Sequence, residues 1–199
     1  MIAFLRHGKT DWNDKGLLQG RDDIPLNNQG IAQAKGAGHE LAKSFEGKSF
    51  RFDKIITSPL SRAEVTANII SSALGNIPVM IDERLIERDF GILSGKEYDF
   101  TSRVVLENVE EESVETVESI VKRVRELIFE KVDKSENVLI VTHGAVTRIF
   151  AEKSKKSKSV SEKDIGIIGN CHMVVYSYDE KSIVLESYDV SPSEFCEVI

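Results

Sequence analysis

Two short apolar runs, Ile2-Ala3-Phe4-Leu5 and Val138-Leu139-Ile140-Val141, constrain the fold more than anything else in the chain. Each reads as a buried strand, and each breaks off at a polar residue followed by His-Gly: Arg6-His7-Gly8 in one case, Thr142-His143-Gly144 in the other. Lys54-Ile55-Ile56-Thr57 and Pro78-Val79-Met80-Ile81 read as further strands. The stretches between them have helical period. Ile31, Ala34, Ala37, Leu41 and Phe45 form one stripe, with an asparagine in Pro25–Gly30 available as a cap. Ala63, Thr66, Ala67, Ile70 and Leu74 form a second that stops near Gly75, and Val117 to Val132 carry a third. A short helix follows from about Ala145 to Lys153, then a Lys/Ser-rich stretch (Ser154 to Ser161) that reads as a solvated loop. Two strands near His172–Tyr178 and Ile183–Tyr188, turning at Asp179-Glu180-Lys181, close the chain. Strands alternating with helices predict an α/β fold, a three-layer α/β/α sandwich whose mainly parallel sheet is made mixed by the closing hairpin. No boundary interrupts residues 1–199, so a single domain is expected.

The net charge of −7 argues against nucleic acid as the main partner, because backbone phosphates favour a basic face. It leaves room for a small anionic substrate, which needs only a local cluster of cations. No apolar run reaches the length of a membrane span. Two cysteines, Cys171 and Cys196, form no disulfide framework. Met1 leads directly into the first strand with no signal-peptide pattern, and a cytoplasmic protein is expected. Four histidines and two cysteines lack metal-ligand spacing, so no metal site and no cofactor are expected.

In open α/β sheets, ligands bind beyond the carboxyl ends of the strands, at a topological switch point. If the two His-Gly strands are parallel neighbours, His7 and His143 meet there. Arg62 lies just past the second strand and Glu87 past the third, so the topology gathers Arg6, His7, Arg62, Glu87 and His143 on one sheet edge. Guanidinium groups are forks for phosphate or carboxylate oxygens. Imidazole is a nucleophile or base near neutral pH. Taken singly, each residue has a structural explanation: a histidine ending a strand, an arginine pairing on a first helical turn, one acid among many. His39 and His172 fit that description. The repeated His-Gly context favours a phosphoryl site.

These residues resemble the signature blocks of the histidine phosphatase superfamily, also called phosphoglycerate-mutase-like proteins. Leu5-Arg6-His7-Gly8-Lys9-Thr10 with Trp12-Asn13 looks like the leading Arg-His-Gly block. Asp23-Ile24-Pro25-Leu26 with Gly30 and Gln33-Ala34 is similar to the second. Thr57-Ser58-Pro59-Leu60-Ser61-Arg62-Ala63 with Thr66-Ala67 matches the third, and Arg84-Leu85-Ile86-Glu87 with Phe90-Gly91 and Gly95 the fourth. Thr142-His143-Gly144 with Arg148 matches the last. Lys9 stands where the family more often has an acid, and so does Ser94; neither replaces a proposed catalytic group.

The resemblance implies that His7 is a nucleophile forming a phosphohistidine. Arg6, Arg62 and His143 would hold the phosphoryl oxygens, and Glu87 would serve as general acid and then base. Asn13, Gln19, Gly144 and Arg88 are implied to line the substrate pocket. The expected activity is metal-independent hydrolysis of a small phosphorylated metabolite. The short segment between Glu87 and His143 favours hydrolysis over the mutase reaction, for which Arg88 speaks. A phospho-ligand binding module is the non-catalytic alternative. Substrate specificity is expected from residues 96–112 and 154–168.

Overall fold

The unbroken apolar runs do become the central strands of one sheet. The computed structural model describes residues 1–97, 113–179 and 182–199. Among them are strands β1 (Ile2–Arg6), β2 (Lys54–Thr57), β3 (Val79–Ile81), β4 (Val138–Thr142), β5 (Lys155–Lys156), β6 (Met173–Tyr178) and β7 (Ile183–Val190), in the order β3-β2-β4-β1-β6-β7-β5. β1, β2, β3 and β4 are parallel, β6 is antiparallel to β1, and β7 to β6. The sheet is therefore mixed, as the closing hairpin implied. The acidic cluster Glu110–Glu112 and the turn residues Glu180 and Lys181 lie outside the described residues.

Five α-helices accompany these strands among the described residues: α1 (Asp11–Asp14), α2 (Asn28–Ser44), α3 (Ser61–Ala73), α4 (Val117–Lys131) and α5 (Gly144–Lys153). The period-2 alternation of the strands sorts side chains between two cores. Ala3, Leu5, Ile55, Leu139 and Val141 face one way and pack with Ala34 and Leu41 of α2 and Ala63, Ala67 and Ile70 of α3. Phe4, Ile56, Val138 and Ile140 face the other way, against Ile120, Val124, Leu127 and Ile128 of α4 and Val146, Ile149 and Phe150 of α5. β1 and β4 are thus neighbours whose following helices lie on opposite faces. The gap between those helices opens a crevice at the strand ends.

Local chemistry sets the helix ends. Asn27 caps α2 by accepting from Gly30 N–H at 2.9 Å. α3 has no cap of its own, since Leu60 precedes it. Instead Asp23 Oδ1 accepts from Ser61 N–H at 2.8 Å and from its hydroxyl at 2.7 Å, so a remote carboxylate occupies the helix N-terminus. α3 ends before Gly75 and Asn76, both at positive φ. α1 is a single turn with a Thr10–Asn13 capping box, within a stretch that shows no period in sequence.

One expectation is corrected. The Lys/Ser-rich stretch is not wholly loop. Lys155–Lys156 pair in parallel with Val184 and Leu185 of β7, and Ser157 N–H continues the contact to Leu185 at 2.9 Å. An edge strand needs only backbone pairing on one side, so it tolerates lysines that show no apolar period. Gly8 has a packing role. A Cβ there would lie 2.5 Å from Gly30 O, and one on Gly30 would lie 2.0 Å from Lys9 O. The two glycines let the backbone after β1 rest directly on the first turn of α2.

Candidate active site

The parallel register of β1 with β4 puts Arg6 opposite Thr142, so the next residue of each strand carries a histidine to the same end of the sheet. The His7 and His143 rings meet edge to face with centroids 5.2 Å apart. Thr142 Oγ1 donates to Leu85 O at 2.8 Å, bringing the segment after β3 alongside with Glu87. Thr66 of α3 accepts from Gly8 N–H at 3.1 Å and donates to Arg62 O at 2.7 Å, tying the loop after β1 to the helix that bears Arg62. Four chain segments therefore converge on one cavity of about 80 Å³, lined by Arg6, His7, Asn13, Gln19, Arg62, Glu87 and Gly144.

Within this site the hydrogen bonds fix which atoms are committed and which are not. His7 Nδ1 lies 2.6 Å from Gly8 O. A carbonyl can only accept, so Nδ1 carries the proton and Nε2 is left as a bare lone pair. Arg62 is fully buried, yet it spends both terminal nitrogens on backbone, donating to Asp22 O at 2.7 Å and Gly20 O at 2.8 Å. Those bonds wrap the aperiodic loop around the guanidinium. Arg6 Nη1 donates to Ile168 O at 2.6 Å. Four buried atoms at this site have no partner among the described residues: Arg6 Nε, Arg62 Nε, His143 Nδ1 and Arg148 Nη2.

Glu87 is 7 % exposed. Its carboxylate takes Arg88 N–H at 2.9 Å, and Val146 and Ala145 N–H of α5 at 3.3 and 3.4 Å. Thr10 Oγ1 donates to Gln19 Oε1 at 3.0 Å, leaving the amide NH2 as that side chain's free donor end. Gly144 matters for its size. A Cβ there would sit 3.3 Å from Arg6 Nε, so glycine lets that side chain lie across the start of α5.

Two sequence-derived site residues do not line the cavity. Arg88 is buried but does not line the cavity. Its Nε donates to Glu115 O at 2.8 Å, and its guanidinium lies 5.9 Å from the Phe90 ring centre, so it braces the segment leading to α4. His143 lies beside His7 in ring contact and is fully buried, and it is not among the residues that line the cavity. Conversely, Arg148 and the apolar wall of Leu17, Leu18, Phe90, Ala145 and Ile167 line the cavity without having been assigned to it. Arg148 follows Gly144 by four residues, one helical turn, and that spacing is the signal that could have found it. Of the segments expected to set specificity, Gly166 to Ile168 reach the cavity. Residues 98–112 lie outside the described structure.

Burial, and then the nearby Arg62 guanidinium, hold both His7 and His143 well below the ordinary histidine range. Both rings are neutral at pH 7. Burial pushes the Cys171 thiol up to about 12, so it stays protonated and does not compete as a nucleophile.

The histidine shifts bear on stability. The unfolded chain binds protons at pH values near 6.5, where the folded one does not, so stability is full above that value and declines as pH falls towards the folded-state pKa values. The slope is up to ~1.4 kcal/mol per pH unit for each histidine. Urea midpoints measured in phosphate-free buffer should fall between pH 7 and 5.5, and less steeply in His143→Gln. Equal slopes for the two proteins would show that His143 is not a buried neutral group.

A model of the histidine phosphatase superfamily (branch 1) matches residues 2–191, and the chain belongs to that superfamily. A Bacillus subtilis protein named Uncharacterized phosphatase PhoE is 36% identical over 147 residues, 72% of each chain. A 2,3-bisphosphoglycerate-dependent phosphoglycerate mutase of Methylobacterium sp. (strain 4-46) is 34% identical over 160 residues, 72% of this chain and 75% of that one. The fold superposes on phosphoglycerate mutase from Bacillus anthracis with a TM-score of 0.79 at 21% identity, covering 100% of this chain and 96% of that one. On mycobacterial glucosyl-3-phosphoglycerate phosphatase the TM-score is 0.73 at 24% identity, with coverage of 96% and 99%. At these identities the two structural likenesses concern the fold.

Proposed function

We propose that this member of the histidine phosphatase superfamily hydrolyses a small phosphomonoester through a phosphohistidine on His7, without a metal ion. One observation supports this most: a bare histidine lone pair lies among buried donors, Arg6 Nε and Arg62 Nε, that find no acceptor among the described residues. Unsatisfied buried donors cost about 1–3 kcal/mol each, and a phosphoryl group offers the oxygens that would satisfy them.

In this scheme His7 Nε2 attacks phosphorus while the ester P–O bond breaks. Glu87 passes its proton to the departing alcohol oxygen. Arg6, Arg62 and His143 take up charge on the phosphoryl oxygens, with Asn13 and Gln19 alongside. Glu87, now a carboxylate, removes a proton from water. That oxygen attacks phosphorus, the N–P bond breaks, and phosphate, neutral His7 and protonated Glu87 are restored. The Arg88, Ala145 and Val146 N–H groups keep the carboxylate aimed throughout. A cytoplasmic setting belongs to the same reading, supported by the two free cysteines.

The mutase reading is favoured by the 34% identical relative that carries that name. Against it, Arg88, the residue that suggested a mutase, is occupied with Glu115 O. Purified protein in chelator should release phosphate from a panel of phosphomonoesters. With 3-phosphoglycerate and catalytic 2,3-bisphosphoglycerate, release should outpace isomerisation. Faster isomerisation makes the protein a mutase, and no turnover of either kind removes the catalytic reading.

A further inference from the structure

We infer that Ser58 is a positioning residue that sets the tautomer of His143, placing its one ring proton on Nδ1. The inference rests on the proposed phosphoryl site only for its consequence; the hydrogen-bond accounting stands apart from it. Thr57 is the last residue of β2 and pairs with Val141 of β4, and Ser58 N–H continues the ladder to Val141 O at 3.1 Å. Ser58 is thereby carried to the same sheet edge as His143, and both are fully buried. Ser58 Oγ lies 2.7 Å from His143 Nε2 and accepts Leu60 N–H at 3.3 Å.

A serine hydroxyl has one proton to give and two lone pairs to fill. Leu60 fills one lone pair. If His143 Nε2–H donated to Ser58, the hydroxyl proton would have no acceptor among the described residues, and His143 Nδ1 would be a bare buried lone pair as well. If instead the hydroxyl donates to Nε2, the serine proton is satisfied and only the Nδ1 side of His143 stays open. The second arrangement leaves one unsatisfied buried group where the first leaves two, and it is the one assigned here.

The consequence follows from occupancy. Ser58 takes the Nε2 side, so contact with a phosphoryl oxygen falls to Nδ1, the atom without a partner. An oxygen bearing negative charge needs a donor there. With the proton on Nδ1 the neutral ring donates; in the other tautomer it would present a lone pair and repel. A neutral histidine, held below its ordinary range by burial and by Arg62, can serve as a donor only in this tautomer. The arrangement parallels the use of His7, whose Nδ1 proton is fixed by Gly8 O, but with the opposite result for the free nitrogen.

The test uses the full-length protein labelled with ¹⁵N at histidine ring nitrogens, assigned with His143→Gln. Long-range ¹H–¹⁵N spectra at pH 7 should show His143 protonated at Nδ1 and bare at Nε2. Ser58→Ala should give a mixed or reversed pattern and lower kcat about 10- to 10³-fold, the scale of losing one aligned donor or tautomer. KM should change little, and Ser58→Thr, which keeps the hydroxyl, should restore most of the rate. Protonation at Nε2 in the unaltered protein would overturn the assignment, as would a Ser58→Ala protein with unchanged tautomer and kcat. If Ser58→Ala does not fold, the spectrum of the unaltered protein still decides. A protein without phosphatase activity but with the Nδ1–H pattern would reject the proposed function and leave the tautomer assignment standing.

Discussion

His7→Asn should lower kcat for every phosphomonoester substrate by at least ~10⁴-fold, the scale of removing a nucleophile that forms a covalent intermediate. Asparagine keeps a polar side chain within reach of Gly8 O but offers no lone pair on a basic nitrogen, so the fold should survive and the chemistry should not. The same variant should fail to trap radiolabelled phosphate under alkaline denaturing conditions, where a phosphohistidine persists, whereas the unaltered protein should label. The two histidines are not equivalent candidates. His143 has its Nε2 engaged by Ser58 and lies outside the cavity lining, while His7 Nε2 is uncommitted in a residue that lines it. His143→Asn should therefore still label, more slowly. Turnover by His7→Asn within tenfold of the unaltered rate, or labelling that persists in it, would move the covalent step elsewhere or remove it.

The sequence carried the strand ends better than their surroundings. Ile2–Leu5 and Val138–Val141 are unbroken apolar runs because both faces of the central strands are covered, and that pattern alone made them neighbours of one kind. Arg62 and Glu87 follow strands by only a few residues, so topology could bring them near His7. Other features have no local period to announce them. The loop around Gly20 and Asp22 is shaped by the Arg62 guanidinium, a partner about forty positions away in sequence. The Gly8–Gly30 contact is reciprocal, and neither glycine is informative without the other. Arg88, which the resemblance implied for the pocket, follows Glu87 directly but does not share its direction: the backbone N–H of Arg88 meets the carboxylate while its side chain runs to Glu115. Ser58 was visible as part of a block, but its partner across the β2–β4 ladder was not.

Glu87→Gln should separate the two halves of the reaction by leaving group. For an alkyl phosphate the departing alkoxide is strongly basic and needs a proton, so kcat/KM should fall by 10²–10⁴-fold, the usual worth of a positioned general acid. For p-nitrophenyl phosphate the leaving phenolate is stable without one, and kcat/KM, which reports steps through phosphorylation of His7, should fall less than tenfold. Hydrolysis of the phosphohistidine still requires a base for either substrate. With p-nitrophenyl phosphate the variant should therefore release a burst of phenolate close to one equivalent per site, then turn over slowly while labelled His7 accumulates. Glutamine preserves the contacts from Arg88 and Val146 N–H through its carbonyl oxygen and gives up the longer one from Ala145 N–H, which keeps the comparison close to one of proton transfer. Equal losses of kcat/KM on both substrates would show that Glu87 does not protonate the leaving group. Loss of p-nitrophenyl kcat without a burst would leave water activation to another residue.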